Sequence, residues 1–202
     1  MPPLAAVRAA NATFKPSFLP TAVFVGGTSG IGQGMVEAFA RYTNGAANIV
    51  IVGRNRAAAE KIIESFPKPP SPDVKHQFVS CDATLMRNVQ ESSRELSEKL
   101  QKINYLVISC GILSMAGRTE TTEGIDRKLA LHYYARWKFI DELLPLLQTA
   151  KEAGEEARVM SVLGAGKGGN IDLNDLGLKK RYTLSAAAIA AETYNDLLVK
   201  VR

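Results

Sequence analysis

Ala22-Val23-Phe24-Val25 is an apolar run that breaks into Gly26-Gly27-Thr28-Ser29-Gly30-Ile31-Gly32, and the chain then restarts as an amphipathic helix. In that helix Ile31, Met35, Val36, Phe39 and Ala40 recur at helical spacing as far as Tyr42. A buried strand that turns on glycines straight into a helix is the first half of a strand-helix-strand unit. The spacing also has a chemical consequence. Gly26 permits a tight turn, Gly30 lets backbone approach a ligand where a Cβ would clash, and Gly32 lets the helix pack close to the sheet. The helix N-terminus offers unpaired N–H groups and partial positive charge to a diphosphate, and Thr28 and Ser29 can add hydroxyl donors.

The same alternation continues along the chain. Asn48 to Val52 is a second β-branched run closed by Gly53, and 57–66 reads as a helix stopped by Pro67, Pro69, Pro70 and Pro72. His76 to Ser80 reads as a third strand, 84–100 as a helix, and Tyr105 to Ser109 as a fourth strand. A long helix is expected over 123–144, ended or kinked at Pro145. Arg158 to Leu163 reads as a fifth strand and 185–201 as a last, Ala-rich helix. Short connections between alternating elements imply right-handed crossovers and a parallel sheet. The strands are apolar throughout, as expected where helices cover both faces. The expected fold is α/β, a doubly wound parallel sheet of Rossmann type in three α/β/α layers. Residues 21–202 form this domain, preceded by a loosely packed arm over 1–20.

Composition excludes several function classes. The 202 residues suffice for one such domain, and 46% hydrophobic with 22% charged residues is ordinary for a globular chain. The net charge of +5 comes from basic residues that are scattered, without the concentrated stripe a nucleic acid requires. No stretch approaches the length of a membrane span, and the first 20 residues lack the apolar centre of a secretory signal. The two cysteines, Cys81 and Cys110, have no metal-ligand spacing and read as buried free thiols in a reducing compartment. These features point to a cytoplasmic protein.

Gly26-x-x-x-Gly30-Ile31-Gly32 resembles the nucleotide loop of the short-chain dehydrogenase/reductases, and further segments follow in that family's order. Cys81-Asp82-Ala83-Thr84 is similar to the segment whose Asp bonds adenine. Ile108-Ser109-Cys110-Gly111 stands where the family has Asn-Asn-Ala-Gly. The run from Thr122 to Asp126, with Leu131 to Trp137 after it, is similar to the entry and core of the fourth helix. More narrowly, the chain resembles a fungal secondary-metabolism branch. The resemblance implies an oxidoreductase acting on a small carbonyl or hydroxyl compound with a nicotinamide coenzyme. The second strand ends in Gly53-Arg54-Asn55-Arg56 with no carboxylate to take a ribose 2′-hydroxyl, while Arg54 supplies a fork suited to a 2′-phosphate. NADP is therefore expected, contacted by Gly26, Thr28, Ser29, Gly30, Ile31, Gly32, Arg54, Asn55, Asp82 and Gly111.

The catalytic positions depart from the family pattern. A Tyr that donates the proton, a Lys four residues on, a Ser and an Asn are implied by the resemblance. By register they fall near Leu184, near Ala188, near Gly164 and at His132. The substitutes to consider are Tyr182, close to the expected Tyr with Lys179 and Lys180 before it, and His132, whose imidazole titrates near neutrality. A satisfied structural histidine is the competing reading of His132. A coenzyme-binding protein without chemistry therefore stands beside the oxidoreductase. The chain also stops at Arg202, before the family's last strands. The expectation is a truncated product, a fragment, or a subunit whose open sheet edge is covered by a second copy or another partner.

Overall fold

The computed structural model describes residues 2–164 and 166–201. The elements run α1 (Leu4–Ala12), β1 (Thr21–Val25), α2 (Gly30–Tyr42), β2 (Asn48–Gly53), α3 (Arg56–Glu64), β3 (His76–Ser80) and α4 (Met86–Lys99). They continue with β4 (Tyr105–Ile108), a short α5 (Arg127–Leu129), a π-helical turn (Ala130–Tyr134), α6 (Ala135–Glu152), β5 (Arg158–Ser161) and α7 (Leu184–Val201). The five strands form one parallel sheet in the order β3-β2-β1-β4-β5.

Successive strand residues point to opposite faces, and the two faces collect different helices. Ala22 and Phe24 of β1 join Ile49 and Ile51 of β2 against Val36, Ala40, Ala59 and Ile62 from α2 and α3. Val23 and Val25 join Leu106 and Ile108 of β4 against Val89, Leu96, Phe139 and Leu143 from α4 and α6. The chain leaves β1 toward β2 on one face and returns to β4 on the other. The sheet therefore reverses its winding between β1 and β4, which opens a crevice beyond their carboxyl ends.

Two edges of this sheet differ from the fully covered strands that the sequence suggests. β3 is half-buried, and β5 is largely exposed, with Val159 at 42% and Met160 at 52%. An apolar groove of about 860 Å³ runs beside it, lined in part by Phe14, Phe39, Tyr105, Val159 and Met160.

The long helix also departs from expectation at both ends. Glu123 is not part of it; its carboxylate accepts from the amides of Met86 (2.6 Å) and Arg87 (3.1 Å) and so caps α4. Asp126 starts the helical stretch instead, accepting from the amides of Lys128 and Leu129. Pro145 does not end α6, which runs on to Glu152. An interior proline costs a helix about 3 kcal/mol. Leu143, Leu147 and Ala150, buried on the turns around it, offset that cost by packing against the sheet side. Residues 4–12 of the expected loose arm are helical, although none of them is buried. Phe14 attaches the arm, its ring lying 6.2 Å from Phe39 and 6.3 Å from Tyr105, and Phe18 sits beneath the Lys102 ammonium.

Asn104 pins the other end of the sheet. Fully buried, it accepts from the Thr21 amide at 2.9 Å and donates to Glu155 Oε2 and the Glu156 carbonyl, both at 2.9 Å. One side chain thereby ties the starts of β1, β4 and β5.

Asn104→Ala orphans the buried Thr21 amide, and urea unfolding should show a loss of about 1–3 kcal/mol. At the opposite end Gly26 has φ +90°, and a Cβ there would sit 2.6 Å from the Cys110 amide nitrogen. Gly26→Ala should cost on the order of 2–4 kcal/mol by the same measurement, because both the dihedral and the backbone contact must give.

Candidate coenzyme site

The crevice at the switch point is a cleft of about 720 Å³. It gathers Gly26, Thr28, Ser29, Gly30, Ile31 and Gly32 from the first turn, Arg54 from the end of β2, Asp82 from beyond β3, and Gly111 from beyond β4. Nine of the ten residues expected to contact a coenzyme therefore line one cavity. Ser109, Cys110, Leu113 and Leu131 complete its wall at the β4 end. Leu113 carried no local signal and Leu131 read only as part of a helix, since only the tertiary fold brings them here.

The turn is built so that its backbone can be touched. A Cβ at Gly32 would collide with the Gly26 carbonyl oxygen and Ser109 Oγ, so only glycine lets α2 start this close to β4. Gln33 donates to the Ser29 carbonyl at 3.1 Å, the first bond of the helix ladder, which leaves the amides of Gly30, Ile31 and Gly32 ahead of it. The Ser29 hydroxyl makes no capping bond, and the Ile31 side chain is 69% exposed beside the cleft. This is a cradle for an anion that a Cβ would fill.

The groups at the β2 end suit an adenosine phosphate. Arg54 is exposed and has no ion-pair partner among the described residues, whereas Arg56 pairs with Glu60 at 3.6 Å and lies over the Phe78 ring. Asp82 uses Oδ1 to accept from the Thr84 amide (3.0 Å) and hydroxyl (2.8 Å), and its Oδ2 remains available as an acceptor. Asn55 is the one expected contact outside the cleft lining; its side chain accepts from the Ala58 amide and caps α3. Burial pushes the Cys81 thiol up to about 11 and raises that of Cys110, so both walls are thiols rather than thiolates. Both cysteines are free.

The two candidate proton donors are not in the cleft lining. His132 lies in the π-helical turn behind Gly111, where a Cβ would meet His132 Nε2 at 3.2 Å. That nitrogen accepts from the Ile112 amide at 3.1 Å. Burial first, and then the Arg136 charge, hold the His132 pKa below its ordinary value. Tyr182 packs with Leu129, Leu178 and α7, its hydroxyl enclosed without a hydrogen-bond partner. The amides of Lys179 and Lys180 donate to Asp175, so that loop is organised around a carboxylate. The ammonium nearest in the described contacts is that of Lys128, 5.6 Å from the Tyr182 ring centroid. One Tyr-x-x-x-Lys spacing does occur, at Tyr134 and Lys138, in the other long helical stretch. Lys138 there donates to Glu142 at 2.9 Å, and neither residue lines the cleft.

A family model described as short chain dehydrogenase matches residues 20–171. An oxidoreductase of Emericella nidulans, AN1596, is 39% identical over 181 residues, covering 90% of this chain and 53% of the relative. The chain spans about half the length of the curated relatives it matches. Among solved structures, an NADH-dependent reductase complexed with NAD superposes with a TM-score of 0.64 at 20% identity, over 95% of this chain and 73% of that one. A Pseudomonas aeruginosa RhlG/NADP complex superposes with 0.62 at 20% identity, over 93% and 68%. At those identities the likeness is one of fold. With the family model covering all five strands and the whole glycine turn, the chain belongs to the short-chain dehydrogenase/reductase family.

Proposed function

We propose that this chain binds NADP(H) and serves hydride transfer to or from a small carbonyl or hydroxyl compound, in a cytoplasmic pathway of secondary metabolism. The observation that carries the reading is the single cleft in which an amide cradle, an unpaired guanidinium and an available carboxylate oxygen meet. The bound coenzyme would supply or accept the hydride. The glycine turn would hold the diphosphate, Arg54 the 2′-phosphate, and Asp82 the adenine edge, with Asn55 acting through the start of α3. The Emericella relative, an oxidoreductase by name, supports the reaction class. The exposed β5 edge supports a homo-oligomer or a covering partner.

A second reading has its own support. His132 Nε2 is engaged by a backbone amide and the Tyr182 hydroxyl is enclosed, so neither candidate donor faces the cleft directly. That arrangement favours a protein that binds NADP(H) without chemistry, as a regulatory or partner subunit. Oxidation of NADPH in the presence of small aldehydes and ketones separates the two. Turnover that falls in Tyr182→Phe or His132→Asn supports catalysis, and saturable binding without turnover supports the second reading.

Titration calorimetry should show tighter NADPH than NADH binding. Arg54→Ala should remove about 1–3 kcal/mol of NADPH affinity, the worth of charge-assisted bonds, and leave NADH unchanged. Equal wild-type affinity for both coenzymes would overturn the NADP assignment.

A pH effect follows from His132. A histidine whose folded pKa lies below its unfolded value of 6.5 adds stability that is complete above pH 6.5 and is lost as pH falls through the folded pKa. Protonation also removes the lone pair that accepts from Ile112. The urea midpoint should therefore drop between about pH 7 and pH 5.5, above the range where carboxylates titrate. His132→Asn should shrink that drop without abolishing it, because His76 is also held low by burial.

A further inference from the structure

Arg136 is only 1% exposed and is the largest of the fully buried side chains. Its guanidinium donates from Nε to the Leu131 carbonyl (3.2 Å), and from Nη1 to the Ile108 carbonyl (3.0 Å) and Ser161 Oγ (2.7 Å). Nη2 donates to the Cys110 carbonyl (2.7 Å). Ser161 in turn donates to Asn195 Oδ1 (3.2 Å), and Asn195 Nδ2 donates to the carbonyls of His132 and Ala191, both at 2.7 Å. No carboxylate pairs with Arg136 among the described residues. An uncompensated buried cation is costly compared with an apolar side chain of similar size, even when its N–H groups are bonded. Its acceptors lie at the ends of β4 and β5 and in the π-helical turn, and the end of β4 and that turn close the cleft on this side. Cys110 and Leu131 line that end directly.

From this geometry we infer that Arg136 is a positioning residue for the nicotinamide half of the coenzyme, holding the Cys110 and Leu131 backbone as the floor on which that half rests. The inference builds on the coenzyme reading above. A planar fork with donors on three nitrogens can fix several carbonyls in relation to one another, which an ammonium on a flexible stem cannot. The diphosphate turn, Arg54 and Asp82 share none of these bonds. Ser109 keeps its own hold on β1 through its amide to the Val25 carbonyl at 2.8 Å. Loss of the fork should therefore loosen one end of the cleft and spare the other, whereas a merely structural arginine would affect both ends alike.

The test uses two probes, NADPH and adenosine 2′,5′-bisphosphate, which lacks the nicotinamide half. They are titrated into the wild type, Arg136→Met, Arg136→Lys and Ser161→Ala. Arg136→Met should weaken NADPH by about tenfold and leave the bisphosphate within about twofold. Lysine and Ser161→Ala should show the same split at smaller size. In parallel, His132 should titrate at higher pH in the methionine variant but not in the lysine variant, which keeps the charge. Equal losses for both probes, or no loss for either, overturn the inference. If the methionine variant does not fold, the lysine and Ser161→Ala pair decides, and absence of a split in both overturns it. A wild type that binds neither probe overturns the coenzyme reading and this inference with it; a wild type that binds both, with no split in any variant, overturns this one alone.

Discussion

The close passage of the β1 turn against the end of β4 governs this molecule. Gly26 comes so near the Cys110 backbone that a single Cβ would force them apart, and Gly32 is held as tightly against Gly26 and Ser109. Because α2 starts immediately after that contact, its free amides open into the crevice rather than over the sheet. The reversal of winding between β1 and β4 then leaves the crevice uncovered from above. The amides at the start of α2 take their position from this contact, whereas Arg54 and Asp82 are placed by the ends of β2 and β3.

Buried polar side chains fix the sheet at its two ends, in chemically different ways. At the amino ends Asn104 is neutral and fully satisfied by one amide, one carboxylate and one carbonyl. At the carboxyl ends Arg136 carries a full charge and answers it only with carbonyls and a hydroxyl. The first arrangement is what a rigid sheet terminus needs. The second leaves positive potential beneath a cleft built for anions, and it lowers the proton affinity of His132 beside it. The residues proposed to hold a coenzyme thus line one cleft, while His132 and Tyr182 lie outside its lining.

Much of the sheet was legible in the residues. The spans of α2 and β3 match their periodicity, and β1, β2 and β4 differ from it by a residue at one end. Among the expected ligand contacts only Asn55 lies outside the cleft, because Asn after a strand is equally the cap of the next helix. Two departures have a common cause. Local helix rules place Glu123 inside a helix and end or kink one at Pro145, yet Glu123 serves another helix, and α6 does not end at Pro145 because burial on either side carries it through.

Short-range chemistry therefore settled the strand-helix alternation, the glycine turn and the guanidinium at the end of β2, since dihedral freedom, periodicity and charge belong to each residue and its near neighbours. Contacts between distant segments decided the rest. The enclosure of the Tyr182 hydroxyl, the occupation of His132 Nε2 by Ile112, the exposure of β5 and the fork of Arg136 each depend on which segments meet in space. A pattern of neighbours along the chain does not encode that meeting, because it is fixed by the packing of the whole sheet against its two helical layers.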